Sequence, residues 1–233
     1  MIDNYKTQLE AYFNKWRKIN LEKKEEKKSL LYKIDEVASF LEDSDSVFVA
    51  KFYMKIAYFI PAEEYKIAEK YFLKVIKQEK VFKNHVNILE AAYEGLGDLY
   101  FEQKLYDKAA DAYIKLLEVV EIINFLDEDI LQMGIAMLNH SKNSHTEKAE
   151  KIIEYIYKLD LCHKDMDHEL FTQTTFNLGL AKYKLKKYTE AKPYFKKAII
   201  LYQQQKWDCE KIHQYLNSIA NHTDSKPMSV SGM

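Results

Sequence analysis

The sequence predicts an all-α chain, a right-handed helical solenoid of about four long repeats behind a short N-terminal helical segment. Three observations predict it. Glycine (5) and proline (3) are scarce among 233 residues, so the corners that a turn-rich all-β fold requires are missing. Leu, Lys, Glu, Ala, Ile and Gln fill long stretches in which apolar residues recur at helical spacing. One skeleton is also written twice: residues 95–116 read GLGDLYFEQKLYDKAADAYIKL and residues 177–198 read NLGLAKYKLKKYTEAKPYFKKA.

Taken in chain order, residues 1–46 form the N-terminal segment. From Tyr5 to Asp43 no glycine or proline interrupts the chain. Two helices are expected there, breaking near Ile19, Asn20 and Leu21. Leu30, Leu31, Ile34, Val37, Ala38 and Leu41 make an apolar stripe, and the mixed-sign run EKKEEKKS reads as its solvated face.

Residues 47–220 carry the repeats. Aligning on a small residue gives Ala68, Ala109, Ala149 and Ala191, separated by 41, 40 and 42 positions. Each is followed four residues later by a bulky one: Phe72, Tyr113, Ile153 and Phe195. Tyr65, Tyr106 and Tyr188 stand three before, with Thr146 in the third and most degenerate unit. Small residues let helices approach to the 8–10 Å of ridge-and-groove packing, so Gly97 and Gly179 are expected to face the second helix of their pairs. Asp107 and Thr189 are expected to cap those second helices, with Pro193 in a first turn, where a missing N–H costs little. The helix around YQQQKWDCEKIHQYLNSIA reads as a terminal cap anchored by Trp207, and residues 221–233 as a disordered tail.

These residues resemble the tetratricopeptide repeat, clearly in the second and fourth units, less so around EEYKIAEKYFLKV and HTEKAEKIIEYI. The period of 40–42 exceeds the usual ~34, the surplus lying between helix pairs. Repeats of this length resemble those of bacterial quorum-sensing peptide receptors of the Rap and PlcR type. At the N-terminus, NKWRKI followed by LEDSDSVFVAKFYM is similar to the helical bundle of Rap regulators. In phosphatase members of that family a glutamine at this corner assists hydrolysis of a response regulator's aspartyl phosphate. Ser44 stands there in this chain, between Asp43 and Asp45, and has no amide to orient water. The alternative for EDSDS is an N-cap cluster opening the next helix. No DNA-reading segment of the PlcR type is recognisable.

Composition narrows the function classes. A formal net charge of −1 supplies no field for a polyanion, so direct nucleic-acid binding is not expected. No run reaches the ~18–20 apolar residues of a membrane span, and MIDNYKTQLEAYF lacks the layout of a secretory signal. Cys162 and Cys209 share no framework spacing, consistent with reduced thiols and a cytoplasmic location.

No catalytic constellation or cofactor motif is present, and a non-enzyme without cofactors is expected. The cluster CHKDMDHE holds Cys162, His163, Asp165, Asp167, His168 and Glu169. These are ligand types, but neighbours in one loop rarely converge on a metal; the alternative is that Asp165 or Asp167 caps the helix near Leu170.

Recognition is expected on the concave face lined by first helices, as the tetratricopeptide resemblance implies. The candidates are Glu94, Asp98, Phe101 and Glu102 in the second unit, and Gln173, Phe176, Asn177, Leu180, Tyr183 and Lys184 in the fourth. Asn139 and Tyr53 are further candidates. A groove Asn suits a peptide because its amide both donates and accepts, whereas Phe101, Phe176 and Tyr183 have packing as their alternative. The expected partner is a short peptide or protein segment, with a response regulator or other regulatory protein as a second partner. Binding would modulate that second interaction; the alternatives are a constitutive scaffold and, third, an aspartate phosphatase.

Overall fold

The computed structural model describes residues 2–20, 22–82, 84–119, 127–139, 143–162 and 168–224. Among the described residues there are helices and a single 3-10 turn, with no strand. The helix-forming composition is therefore realised in the backbone, and the fold class is all-α helical repeat. The chain divides into two compact units, residues 1–105 and 106–233.

Unit 1 contains α1 (Ile2–Trp16), α2 (Lys24–Ser39), α3 (Ser46–Phe59), α4 (Tyr65–Ile76) and α5 (Val86–Glu102), with the 3-10 turn at Ala62–Glu64. The break between α1 and α2 falls where the apolar periodicity lapses. Leu30, Leu31, Ile34, Val37 and Ala38 are buried along α2, as the stripe requires. Phe13 of α1 meets Phe52 and Phe59 of α3 edge-on, at 5.8 and 5.4 Å between ring centres. In the connection between α4 and α5, Phe82 is fully buried, so this surplus length contributes to the core.

The tight approach in unit 1 is at Gly95. A Cβ there would lie 2.6 Å from the ring of Phe72 and 2.7 Å from the Tyr58 hydroxyl. Gly97, the glycine singled out by repeat spacing, is also buried.

Unit 2 contains α6 (Tyr106–Val119), α7 (Asp127–Asn139), α8 (Asn143–Cys162), α9 (His168–Lys184), α10 (Tyr188–Gln205) and α11 (Glu210–Asp224). Helix α9 packs against α7, α8 and α10. Thr172, Thr174 and Thr175 are fully buried on it, and each returns its hydroxyl to a carbonyl one turn back: His168, Leu170 and Phe171, at 2.6–2.8 Å. Back-bonding satisfies these hydroxyls without a partner helix. A Cβ on Gly179 would come within 3.1 Å of Phe195, and one on Gly134 within 3.0 Å of Ile153. The repeating glycine-against-bulky rule thus holds in the fourth unit and extends to the third.

Three local expectations are corrected. Asp107 and Thr189 do not cap the second helices. The Asp107 carboxylate is taken by His145 at 2.8 Å, and the N-cap of α10 is Lys187, without a side-chain cap bond. Pro193 is the sixth residue of α10, inside the helix rather than in its first turn. Helix α11 continues to Asp224, into the stretch expected as a tail, with His222 lying 4.9 Å from the Tyr188 ring.

Lys104, Lys186 and Lys206 take left-handed conformations, with φ of 58–60°. Each ends a helix, where the following N–H reaches back five residues: Leu105 to Tyr100, Lys187 to Lys182 and Trp207 to Tyr202, at 2.8–2.9 Å. This is the Schellman closure, built with lysine where glycine is usual.

Candidate functional site

The first-helix positions of the two matching repeats meet different fates. In unit 1, α5 buries Ile88, Leu89, Ala92, Tyr93, Leu96 and Tyr100. Helical spacing then leaves Asp98 and Glu102 exposed, with Glu94 and Phe101 half-buried. These are the four α5 candidates, and they lie beside the buried seam of the helix. Three are carboxylates, and their field is felt next door. Desolvation, and then the charges of Glu94 and Asp98, push the Tyr58 hydroxyl up to about 12. Tyr58 remains 57% exposed and donates to the Ala91 carbonyl at 3.0 Å. An exposed aromatic ring beside carboxylates is a combination suited to an arginine or lysine side chain.

In unit 2 the α9 candidates are drawn into internal contacts. Asn177 is buried and donates its amide to the Gln173 carbonyl at 2.9 Å, one turn back on its own helix. Leu180 is buried. Phe176 packs against Phe195, Tyr202 and Tyr215. Tyr183 packs edge-on against Tyr215, and its hydroxyl lies 2.7 Å from Ser218 Oγ. Tyr215 and Ser218 belong to α11, which is laid over this face; Phe195 and Tyr215 stack at 5.2 Å, 3° from parallel.

Lys184 donates to the Leu138 carbonyl in the last turn of α7, where a cation offsets unsatisfied carbonyls. Desolvation, and then the charge of Lys211, hold its ammonium below the ordinary lysine value. Gln173 is half-buried and reaches Glu169 at 3.4 Å. Asn139 is exposed at the end of α7. In unit 1, Tyr53 is buried, with its hydroxyl donated to Glu42 at 2.9 Å.

At the N-terminal corner the capping alternative holds. Asp45 caps α3 by accepting from the Phe48 N–H at 3.1 Å. Its carboxylate also pairs with Lys6 at 2.6 Å, and these two partners, Lys6 first, keep its pKa below the ordinary range. Ser44 donates its hydroxyl to the Leu41 carbonyl. Of the CHKDMDHE cluster, residues 163–167 lie outside the described residues, including both proposed caps. Among the described residues no group of three His, Cys, Asp or Glu is placed to hold a metal.

Sequence reasoning missed a buried charge network. Lys182, 5% exposed, donates to Glu150 at 2.9 Å and Glu190 at 3.0 Å; Lys187 reaches the other Glu150 oxygen at 2.7 Å. The group ties α8, α9 and the start of α10 together. Burial opposes ionisation of Glu150, but hydrogen bonds from Lys187 and Lys182 outweigh it and hold the carboxyl below its usual value. The only sequence signal was a lysine inside a small-residue run, Gly179–Lys182.

The close pairing of Gly179 with Phe195 and the buried Ala191 make α9 and α10 a small-against-large helix pair. Residues 177–204 match the tetratricopeptide repeat family. The match starts at Asn177 and crosses the Schellman turn at Lys186, so it covers the later half of α9 and nearly all of α10. No curated protein matches the chain. Tetratricopeptide repeats are protein-interaction modules, generally without catalysis. No described helix is long and apolar enough to cross a membrane.

Proposed function

We propose that the protein is a regulatory interaction module that recognises a short, basic peptide or protein segment on the exposed side of α5. The observation that carries this reading is the one-sign row of Glu94, Asp98 and Glu102 beside exposed Tyr58. Charge complementarity favours a lysine- or arginine-bearing segment and sets its orientation. The α9 candidates contribute by holding the repeat together, with Lys184, although exposed, tied to the Leu138 carbonyl. By resemblance to the Rap and PlcR receptors, peptide capture modulates a second protein interaction in a bacterial cytoplasm. Aspartyl phosphatase chemistry gains no support, because Ser44 is a helix-turn residue without an amide.

A constitutive scaffold uses the same fold, and one experiment separates the two. A receptor's thermal midpoint rises on adding a lysine- and arginine-rich peptide, because a ligand of the native state stabilises it. An equally long acidic peptide leaves the midpoint unchanged. A midpoint indifferent to the basic peptide, with a folded partner still captured, would establish the scaffold reading instead.

A further inference from the structure

Unit 1 holds a cleft of about 670 Å³ between α2 on one side and the 3-10 turn with α4 on the other. That volume lies in the range of small-ligand pockets, roughly 300–1,000 Å³. Asp35 of α2 joins the two sides by taking Lys70 at 2.6 Å and Lys74 at 2.7 Å. The apolar lining comes from Trp16, Leu31, Tyr32, Tyr65, Ile67 and Tyr71.

Two of these residues carry an unusual burden. Trp16 and Tyr71 are 2% and 0% exposed, and neither the Trp16 Nε1 nor the Tyr71 hydroxyl has a hydrogen-bond partner. Desolvation, and then the charge of Asp35, push the Tyr71 hydroxyl above its ordinary pKa. A buried donor left unpaired is costly, and the indole N–H can be satisfied only by an acceptor.

The charges around the cleft are sorted by side. Apart from the bridging Asp35–Lys70 pair, α2 carries Lys24, Lys27 and Lys28 against Glu25, and the turn with the start of α4 carries Glu63 and Glu64 against Lys66. A basic side and an acidic side over an aromatic floor complement a molecule with a positive end, a negative end and an apolar middle.

We propose that this cleft binds a short apolar peptide by its two free ends. Its carboxylate lies against Lys24 and Lys28, its ammonium against Glu63 and Glu64, and its side chains on the floor. A backbone carbonyl of the bound peptide supplies the acceptor that the Trp16 N–H lacks. The site is separate from the α5 carboxylates and does not depend on them.

Trp16 and Trp207 are the chain's two tryptophans, so Trp207→Phe leaves one reporter, in the cleft. The probe is the tripeptide Leu-Phe-Leu with free ends, compared with its C-terminal amide and its N-acetyl form. Free peptide is expected to change Trp16 emission saturably, and each capped form to bind about fivefold more weakly. Lys24→Gln with Lys28→Gln should abolish the penalty for the amide alone, and Glu63→Gln with Glu64→Gln the penalty for the acetyl alone. These side chains are exposed or half-buried, and circular dichroism checks that the variants stay folded. No saturable response, or equal binding of all three forms, would overturn the proposal.

Discussion

Helices α5 and α9 carry the same repeat skeleton and put it to opposite uses. On α5 the positions beside the buried seam are Glu94, Asp98, Phe101 and Glu102, exposed or half-buried. On α9 the corresponding side chains are engaged in internal contacts: Asn177 bonds its own helix, half-buried Phe176 and Tyr183 lie against Tyr215 of α11, and Lys184, although exposed, bonds the end of α7. A repeat keeps how helices pack, while its remaining positions are free to become surface or core. Helix α11 decides the second case, because its Tyr215 covers Phe176, Tyr183 and Phe195.

The comparison breaks most sharply at the buried network that ties α9 to α8 and α10. Glu150→Gln should destabilise the protein by about 2 kcal/mol in urea unfolding, since the buried Lys182 ammonium keeps only Glu190 as a carboxylate partner. Replacing the pair together, Glu150→Leu with Lys182→Met, should recover much of that loss. The effect has a pH signature. The folded-state pKa of Glu150 is depressed, so its contribution is full above the ordinary carboxylate value, about 4.3, and is lost as pH falls through the folded value. Glu150→Gln should therefore show a shallower loss of stability on acidification.

A smaller contrast separates the two close-approach glycines. Alanine gains about 1 kcal/mol over glycine in a helix interior. At Gly95 the added methyl meets the buried Phe72 ring at 2.6 Å, and overpacking of about 1–3 kcal/mol outweighs that gain. At Gly179 the nearest atom is 3.1 Å away, so Gly179→Ala should be close to neutral in the same assay. A modest gain is expected elsewhere: Lys186→Gly, at φ 60°, should stabilise by about 0.5–1 kcal/mol, because glycine adopts this conformation without a Cβ penalty.

Local and periodic features were legible in the sequence. The Gly179–Phe195 contact follows from their place in the repeat, the α2 stripe from 3.6-residue spacing, and the Asp45 cap from a cluster of short polar residues. What escaped depends on how distant helices are rotated against each other. Nothing near Lys182 announces Glu150, 32 residues earlier in the chain. Asp107 looks like a cap until His145 is folded beside it. Asn177 reads equally well as a ligand contact or a back-bonded core residue, and only its burial under neighbouring helices decides where its amide goes.

The central claim is that recognition belongs to α5 and packing to α9, and two charge reversals measured together test it most directly. Binding of a lysine- and arginine-rich peptide and the thermal midpoint are recorded for Asp98→Lys and Lys184→Glu. Asp98→Lys is predicted to weaken binding by about tenfold or more while the chain stays folded by circular dichroism, since Asp98 is exposed and charge complementarity carries the binding. Lys184→Glu is predicted to lower the midpoint by removing the cation from the end of α7 while leaving peptide affinity intact. Undiminished binding by Asp98→Lys, or lost binding by Lys184→Glu at an unchanged midpoint, would contradict the account.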